Sequence, residues 1–249
     1  VVTLAISDIP GDDPAVIGSG PTIGDRTTLA DARAVLIRHR IEAPASVLAA
    51  LANPVNESIK LQDARLMRSV YKLIAGPDIA LAAVSAALQT MGYEVLNLGG
   101  RLEGEAAPIA QAHARHVLEL LRARRKVAMI SGGELSVSAA PEGARGGRCR
   151  EYALALACAF DAQPDALSKI AALGADTDGI DGSDDAAGAL LLPGDSARAR
   201  ALRLDPNAYL GAHRSGDYFS ALGRAFVTGP TRTNVGDFRI ILINPYTDY

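Results

Sequence analysis

Four times in this sequence a short apolar run passes straight into a loop of glycines, hydroxyls, amides and carboxylates. The four are "AISDIPGDDPAVIGSGPT", "AMISGGELSVS", "ALGADTDGIDGSDDAAGA" and "FVTGPTRTNVGDF". In open α/β sheets, ligands bind beyond the carboxyl ends of the strands, so loops of this kind tend to converge. Glycine lets the backbone approach a ligand, and successive N–H groups form concavities that hold anions. One such loop is an ordinary hairpin or helix start. Four in one chain point to a ligand site.

Between the loops, β-branched runs alternate with helical stretches, which predicts an α/β fold of layered, mostly parallel sheet. Strands are expected at "VVTLAIS", "YEVLNLG", "KVAMI", "KIAALGA", "RAFVTG" and "FRIILIN", with a further extended segment in "SGGELSVSA". Thr28 is expected to cap a helix reaching Arg38, and Pro44 to open another over 45–52. Further helices are expected in "GPDIALAAVSAALQTMG", "GEAAPIAQAHARHVLELLRAR", "REYALALACAF", "SARARALRL" and "PNAYLGAH", while "DAAGALLLP" reads as helix or turn. A division is expected near Arg125, giving segments 1–125 and 126–249.

The 249 residues carry 25 basic and 28 acidic side chains, a formal net charge of −3. That balance argues against nucleic acid or an anionic membrane as the main partner. No apolar stretch has membrane-spanning length and no signal peptide is visible. The two cysteines make no disulfide framework, so a reducing, cytoplasmic setting is expected, with Cys158 of "ALALACAF" in the core. The chain opens on "VVTLAIS" without an initiator Met, and a preceding segment is expected.

The loop over 174–189 holds five aspartates. Asp176, Asp178 and Asp181 follow one strand, as Asp8, Asp12 and Asp13 follow another. Asx-turn and capping duty accounts for several of these six. One or two could instead hold Mg²⁺ together with substrate phosphates, or act as general base toward a hydroxyl. An EF-hand is excluded, because counting from Asp176 puts Asp181 where the loop needs glycine and Ala187 where it needs glutamate. In "ARGGRCREYALALA", Arg145, Arg148 and Arg150 flank two glycines before a buried helix. Arginine opposes the dipole at a helix start, so it is expected there to grip an anion, with Glu151 as an alternative partner. His113, His116 and Glu119 share one side of a helix and read as a solvated face; His39 and His213 read as surface histidines. Neither a P-loop pattern nor a G-x-G-x-x-G fingerprint after a strand is present.

Taken together, "SDIPGDDPAVIGSGPT", "GYEVLNLGGRLEGEA", "SGGELSVS", "GGRCREYALALA", "DTDGIDGSDDAAGA" and "TGPTRTNVGDF" resemble the glycerate 2-kinases of the MOFRL family, long also labelled hydroxypyruvate reductases. The resemblance runs from residue 1 to about Ile243. It implies a two-domain α/β kinase that phosphorylates glycerate with ATP and Mg²⁺, working in an interdomain cleft. It further implies that residues 1–125 are the C-terminal part of a Rossmann-like domain and 126–249 a MOFRL domain. By motif, Arg148 and Asp176 match catalytic positions. Asp8, Ser19, Gly20, Thr22, Gly132, Gly133, Glu134, Asp178, Thr228, Thr231 and Asn234 match nucleotide- or substrate-binding ones, with Asp176 and Asp178 as the metal pair. Leu135, Ser136, Cys149, Arg150, Arg232 and Gly236 depart from the family pattern. The family's N-terminal region, with its lysine in a "GK" motif and its "SGGGSA" turn, is not among these residues. The implied partners are a small hydroxy acid and that N-terminal region, with a homodimer also open. The fragment alone is expected to be inactive. An NAD(P)H-dependent hydroxypyruvate reductase and a non-catalytic half of a split kinase are the alternatives.

Overall fold

Residues 1–138, 141–161, 163–182 and 185–246 are described by the structure, a computed structural model of the chain. They sort into two units, one of Val1–Ala5 with Asp12–Ile74, the other of Ile6–Gly11 with Ala75–Tyr249. In the first unit the elements are β1 (Val2–Ile6), α1 (Leu29–Arg38), α2 (Ala45–Ala52) and β2 (Val70–Ala75), whose terminal Ile6 and Ala75 pass into the second. Among the described residues strand β1 pairs only with β2. Helix α1 starts where local chemistry dictates: the Thr28 side chain accepts from Asp31 N while Asp31 accepts from Thr28 N. Neither α1 nor α2 has a buried residue.

The second unit runs α3 (Pro77–Thr90), β3 (Glu94–Asn97), β4 (Leu102–Glu105), α4 (Ala106–Arg122), β5 (Val127–Ser131), β6 (Gly133–Ser136), α5 (Arg148–Asp161), α6 (Pro164–Leu167), β7 (Ile170–Asp176), β8 (Gly188–Leu191), α7 (Asp195–Ala201), α8 (Pro206–Gly211), α9 (Ser215–Leu222), β9 (Ala225–Phe226) and β10 (Asp237–Ile243). Six strands form one sheet in the order β3-β5-β10-β7-β8-β9, and β4 pairs with β6. Helices α4 and α5 pack together over the sheet, and Val117, Leu156, Phe160, Ile170, Ile241 and Ile243 meet in the main core. All of β5 is buried, as the apolar run Val127–Ile130 requires.

The α/β class is as expected, but the sheet is mixed rather than mostly parallel. Strand β3 is parallel to β5, whereas β10 is antiparallel to both β5 and β7, and β8 is antiparallel to β7 and β9. The segment expected as helix or turn at "DAAGALLLP" contains strand β8, and β2, β4, α6 and α9 had no counterpart among the expected elements. Pairing explains β4: polar "LEGE" lies in register with β6, Leu102 opposite Gly133. Gly133 has φ of 106°, and a Cβ there would overlap the Leu102 carbonyl, so this pairing requires glycine. Among the described residues no helix is long and apolar enough to cross a membrane.

Candidate functional site

Arg148 is the first residue of α5, and three carboxylates surround it, two from the six-stranded sheet and one from the β4–β6 pair. Its Nη2 donates to Asp176 Oδ2 at 2.7 Å, its Nε donates to Asp237 Oδ1 at 2.7 Å, and its Nη1 lies 3.4 Å from Glu134 Oε1. Asp176 ends β7, Asp237 begins the neighbouring β10 directly opposite it, and Glu134 comes from β6. An arginine that is unfavourable at a helix start is thereby held by ion pairs. Its side chain remains 29% exposed, so the cluster is not sealed from solvent.

The helix start is not an open anion site. Asp181 fills it: Oδ1 accepts from Cys149 N and Oδ2 from Arg150 N, each at 2.9 Å. Arg150, fully buried, also donates from Nε to the same carboxylate at 3.0 Å. Gly147 permits this approach, since a Cβ there would overlap Asp181. Of the expected anion-gripping arginines, Arg150 is therefore committed to Asp181 and Arg148 faces the carboxylate cluster. Glu151 pairs with neither: it meets His213 Nδ1 at 2.8 Å.

Behind Arg148 lies a second arginine that the motif reading passed over. Arg239, on β10 and 1% exposed, donates from Nη1 to Asp237 Oδ2 at 2.9 Å, from Nε to Ser131 Oγ at 3.0 Å, and from Nη2 to the Gly132 carbonyl. Asp237 Oδ2 also accepts from Leu135 N at 2.9 Å. Asp237 thus ties Arg148, Arg239 and the Gly132–Gly133 turn together. The available signal was a pair of charges, Asp237 and Arg239, at the head of an apolar strand, where burial demands partners.

The last loop closes over the aspartate loop. Thr231 Oγ1 donates to the Thr177 carbonyl at 2.6 Å, and Thr231 N donates to the Asp178 carbonyl at 2.9 Å. Asn234 Nδ2 donates to Asp8 Oδ2 at 3.2 Å, while its Oδ1 accepts from Gly236 N at 2.8 Å. Thr228 makes a local bond to the Gly229 carbonyl and is exposed. Asp8, Gly132, Gly133, Glu134, Arg148, Asp176, Asp178, Thr231 and Asn234 are therefore joined by direct bonds or adjoining backbone. Ser19, Gly20 and Thr22 lie in the first unit. There Gly20 ends a turn at φ of 56°, and Thr22 Oγ1 lies 2.7 Å from Thr3 Oγ1. Ser183 and Asp184 of the aspartate loop lie outside the described residues.

Electrostatics sets the aspartates apart. Asp176 is pushed up to about 6: burial drives the shift, assisted by Asp178 and Asp237, and outweighs the Asp178 N–H bond and the Arg148 charge. Arg148 is raised, because Asp237 and Asp176 overcome the lowering effect of burial. Asp178 spends Oδ1 on an Asx turn with Ile180 N at 2.7 Å. Asp13 makes a similar turn with Ala15 N at 3.0 Å. Among the described residues no group of three or more His, Cys, Asp or Glu side chains is placed to hold a metal ion. Two histidines expected at the surface are partnered. Besides the His213–Glu151 pair, His113 is buried with Nδ1 2.8 Å from Tyr152 Oη. Cys158 is half-buried, its thiol pushed up to about 12 by burial.

The model of the MOFRL family matches residues 127–237, which hold Gly132 to Asn234 and Asp237. That stretch of the chain belongs to the MOFRL family. A further model, a domain of unknown function (DUF4147), matches residues 1–52. An Agrobacterium vitis protein provisionally named hydroxypyruvate reductase is 46% identical over 249 residues, covering 98% of this chain and 55% of that protein. D-glycerate 2-kinase of Thermotoga maritima is 32% identical over 250 residues, covering 98% and 56%. The crystal structure of a glycerate kinase from Thermotoga maritima matches with a TM-score of 0.85 at 31% identity, covering 97% of this chain and 56% of that one. The chain thus spans little more than half the length of these relatives.

Proposed function

We propose that this chain forms part of a glycerate 2-kinase, which transfers the γ-phosphoryl group of ATP to the 2-hydroxyl of glycerate. The observation that carries this reading is Arg148, partly exposed and held by Asp176 and Asp237, at the convergence of three of the four glycine loops. Phosphoryl transfer asks a protein chiefly for positioning and for charge where negative charge spreads. Arg148 supplies an oriented cation for a phosphoryl or carboxylate oxygen. Asp176, with its pKa near 6, is suited to take the proton of the attacking hydroxyl near neutral pH. The Gly132–Gly133 turn and the Thr231–Asn234 loop would cradle phosphate oxygens.

The donor set bears on Mg²⁺. Both Asp176 oxygens are engaged, Oδ2 by Arg148 and Oδ1 by Asp178 N, whereas Asp178 Oδ2 accepts no hydrogen bond among the described residues. Asp178 is the better fitted ligand, with phosphate oxygens completing the shell, as is usual for Mg²⁺. Bound there, the cation would offset the excess of carboxylates over arginines and neutralise phosphate charge. Ser19, Gly20 and Thr22 are assigned to the same reaction by motif alone. We take 126–249 as the MOFRL domain and 1–125 as the end of the preceding one. The rest of the site would come from chain equivalent to the remaining length of the relatives, and residues 1–249 alone would be inactive. A cytoplasmic location fits such an enzyme.

The test is ADP formation from glycerate and Mg-ATP by a protein of the relatives' full length that carries this chain. Arg148→Ala should lower kcat by about 100-fold or more. The provisional names of relatives at 46% and 41% identity favour a second reading, reduction of hydroxypyruvate. NADH oxidation with hydroxypyruvate, without glycerate-dependent ADP release, would establish that reading and overturn ours.

A further inference from the structure

Away from Arg148, the C-terminal end of α5 meets α7, α8 and α9 around a cavity of about 370 Å³, a size that suits a small molecule. Ala157, Leu191, Ala199, Leu204 and Pro206 give it an apolar wall. Tyr218 also lines it and is 2% exposed, with its ring edge-on to Tyr209 and Phe219 at 5.6 and 5.2 Å. A buried phenol ordinarily finds a hydrogen-bond partner. The Tyr218 hydroxyl makes no hydrogen bond among the described residues and, unlike that of Tyr71, is not sealed from solvent, so it opens into the cavity.

The charges around the lining cancel in pairs, with two remaining. Buried Asp195 accepts from Arg224 Nε at 2.8 Å and from Leu192 N at 2.7 Å. Asp161 pairs with Arg200 at 3.3 Å. Asp205 gives one oxygen to Asn207 N at 2.9 Å and forms no ion pair among the described residues. The guanidinium of Arg203, two positions earlier and also on the lining, forms neither an ion pair nor a hydrogen bond among them. One uncompensated carboxylate and one uncompensated guanidinium therefore stand at the rim of an apolar pocket that contains an unpartnered phenol.

We propose that this cavity binds a small zwitterion with an apolar side chain, the class of the neutral α-amino acids. Asp205 takes the ammonium group, Arg203 the carboxylate, and the apolar wall the side chain, while the Tyr218 hydroxyl donates to the ligand. Burial, with Cys158, Asp195, Asp161 and Asp205 around it, raises the Tyr218 pKa, so the hydroxyl keeps its proton at neutral pH. The site stands independently of the kinase reading, since it shares no residue with the Arg148 cluster.

Calorimetric titration of the chain with L-leucine, N-acetyl-L-leucine and L-leucinamide tests it, the two analogues each lacking one of the charges. L-leucine should bind at least about tenfold tighter than either analogue, the factor expected for one charged hydrogen bond. Arg203→Ala, at an exposed position, and Tyr218→Phe, which keeps the ring packing, should each weaken L-leucine by about tenfold or more with the circular dichroism unchanged. No binding up to about 10 mM, equal binding of either analogue, or unchanged affinity in either variant would overturn the proposal.

Discussion

Asp237 shows how a buried charge is tied into its surroundings at the scale of single residues. Its two oxygens hold Arg148, Arg239 and Leu135 N, and its side chain is fully buried. Asp237→Ala would leave Arg239 inside the protein without its carboxylate. That change should cost about 3–5 kcal/mol, read as a lower urea midpoint for the second unit. Glu134→Gln makes the contrast, because Glu134 is half-exposed and 3.4 Å from Arg148, and its removal should cost no more than about 1 kcal/mol. Equal losses in the two variants would show that Asp237 is not the hub described. The same contrast explains what the sequence disclosed. Arg148 and Asp176 sit in glycine-punctuated motifs that offered several candidates, and only the family resemblance singled out these two. Asp181 caps a helix that begins 33 positions before it in the chain, and Asp237 joins groups about 100 residues apart. Local rules for caps and turns cannot reach partners that only the folded sheet brings together.

At the scale of elements, α4 and α5 meet through His113 and Tyr152, and this contact carries a pH dependence. His113 is lowered to about 4 by burial, with Arg239 and His116 adding to the effect. In the unfolded chain the imidazole binds a proton near pH 6.5; in the folded chain it stays neutral until about pH 4. Between those values the unfolded state holds more protons, so stability rises with pH and is lost as pH falls through that window. The size is at most about 3 kcal/mol. His113→Gln, which can still hydrogen-bond Tyr152 but does not titrate, should flatten the change in urea midpoint between pH 6.5 and 4; an unaltered slope would remove His113 as its source. The boundaries of α1 and α2 agree with the expected ones because caps and proline act within a few residues. Strand direction was not legible in the same way: alternation along β10 looks identical whether its neighbours run with it or against it. The four residues of β8 are too short an apolar run to tell strand from helix.

For the molecule as a whole, burial is distributed very unevenly between the two units. In the first unit Ala5 is the one buried apolar side chain, while Val2, Leu4, Val35, Ile37, Val47, Leu48, Val70 and Ile74 are exposed. In the second unit β5 is wholly buried, and β7 and β10 bury alternate residues or more. Fixing a residue's backbone costs on the order of 1–2 kcal/mol, which apolar burial must offset. The first unit has little burial with which to do so. Its helices should therefore open at small cost while the strands of the second open only with global unfolding. Hydrogen exchange at neutral pH should find the amides of α1 and α2 exchanged within about minutes, and those of β5, β7 and β10 protected for on the order of hours or more. The exposed apolar face also gives a reason to expect a cover. If chain equivalent to the remaining length of the relatives packs on β1, β2, α1 and α2, exchange there should slow by orders of magnitude in a protein of that length, with little change in β5. Equal exchange of α1 and α2 in the short and long proteins would mean that this face is covered by something else, and that the missing part of the proposed kinase site has to be sought on another surface.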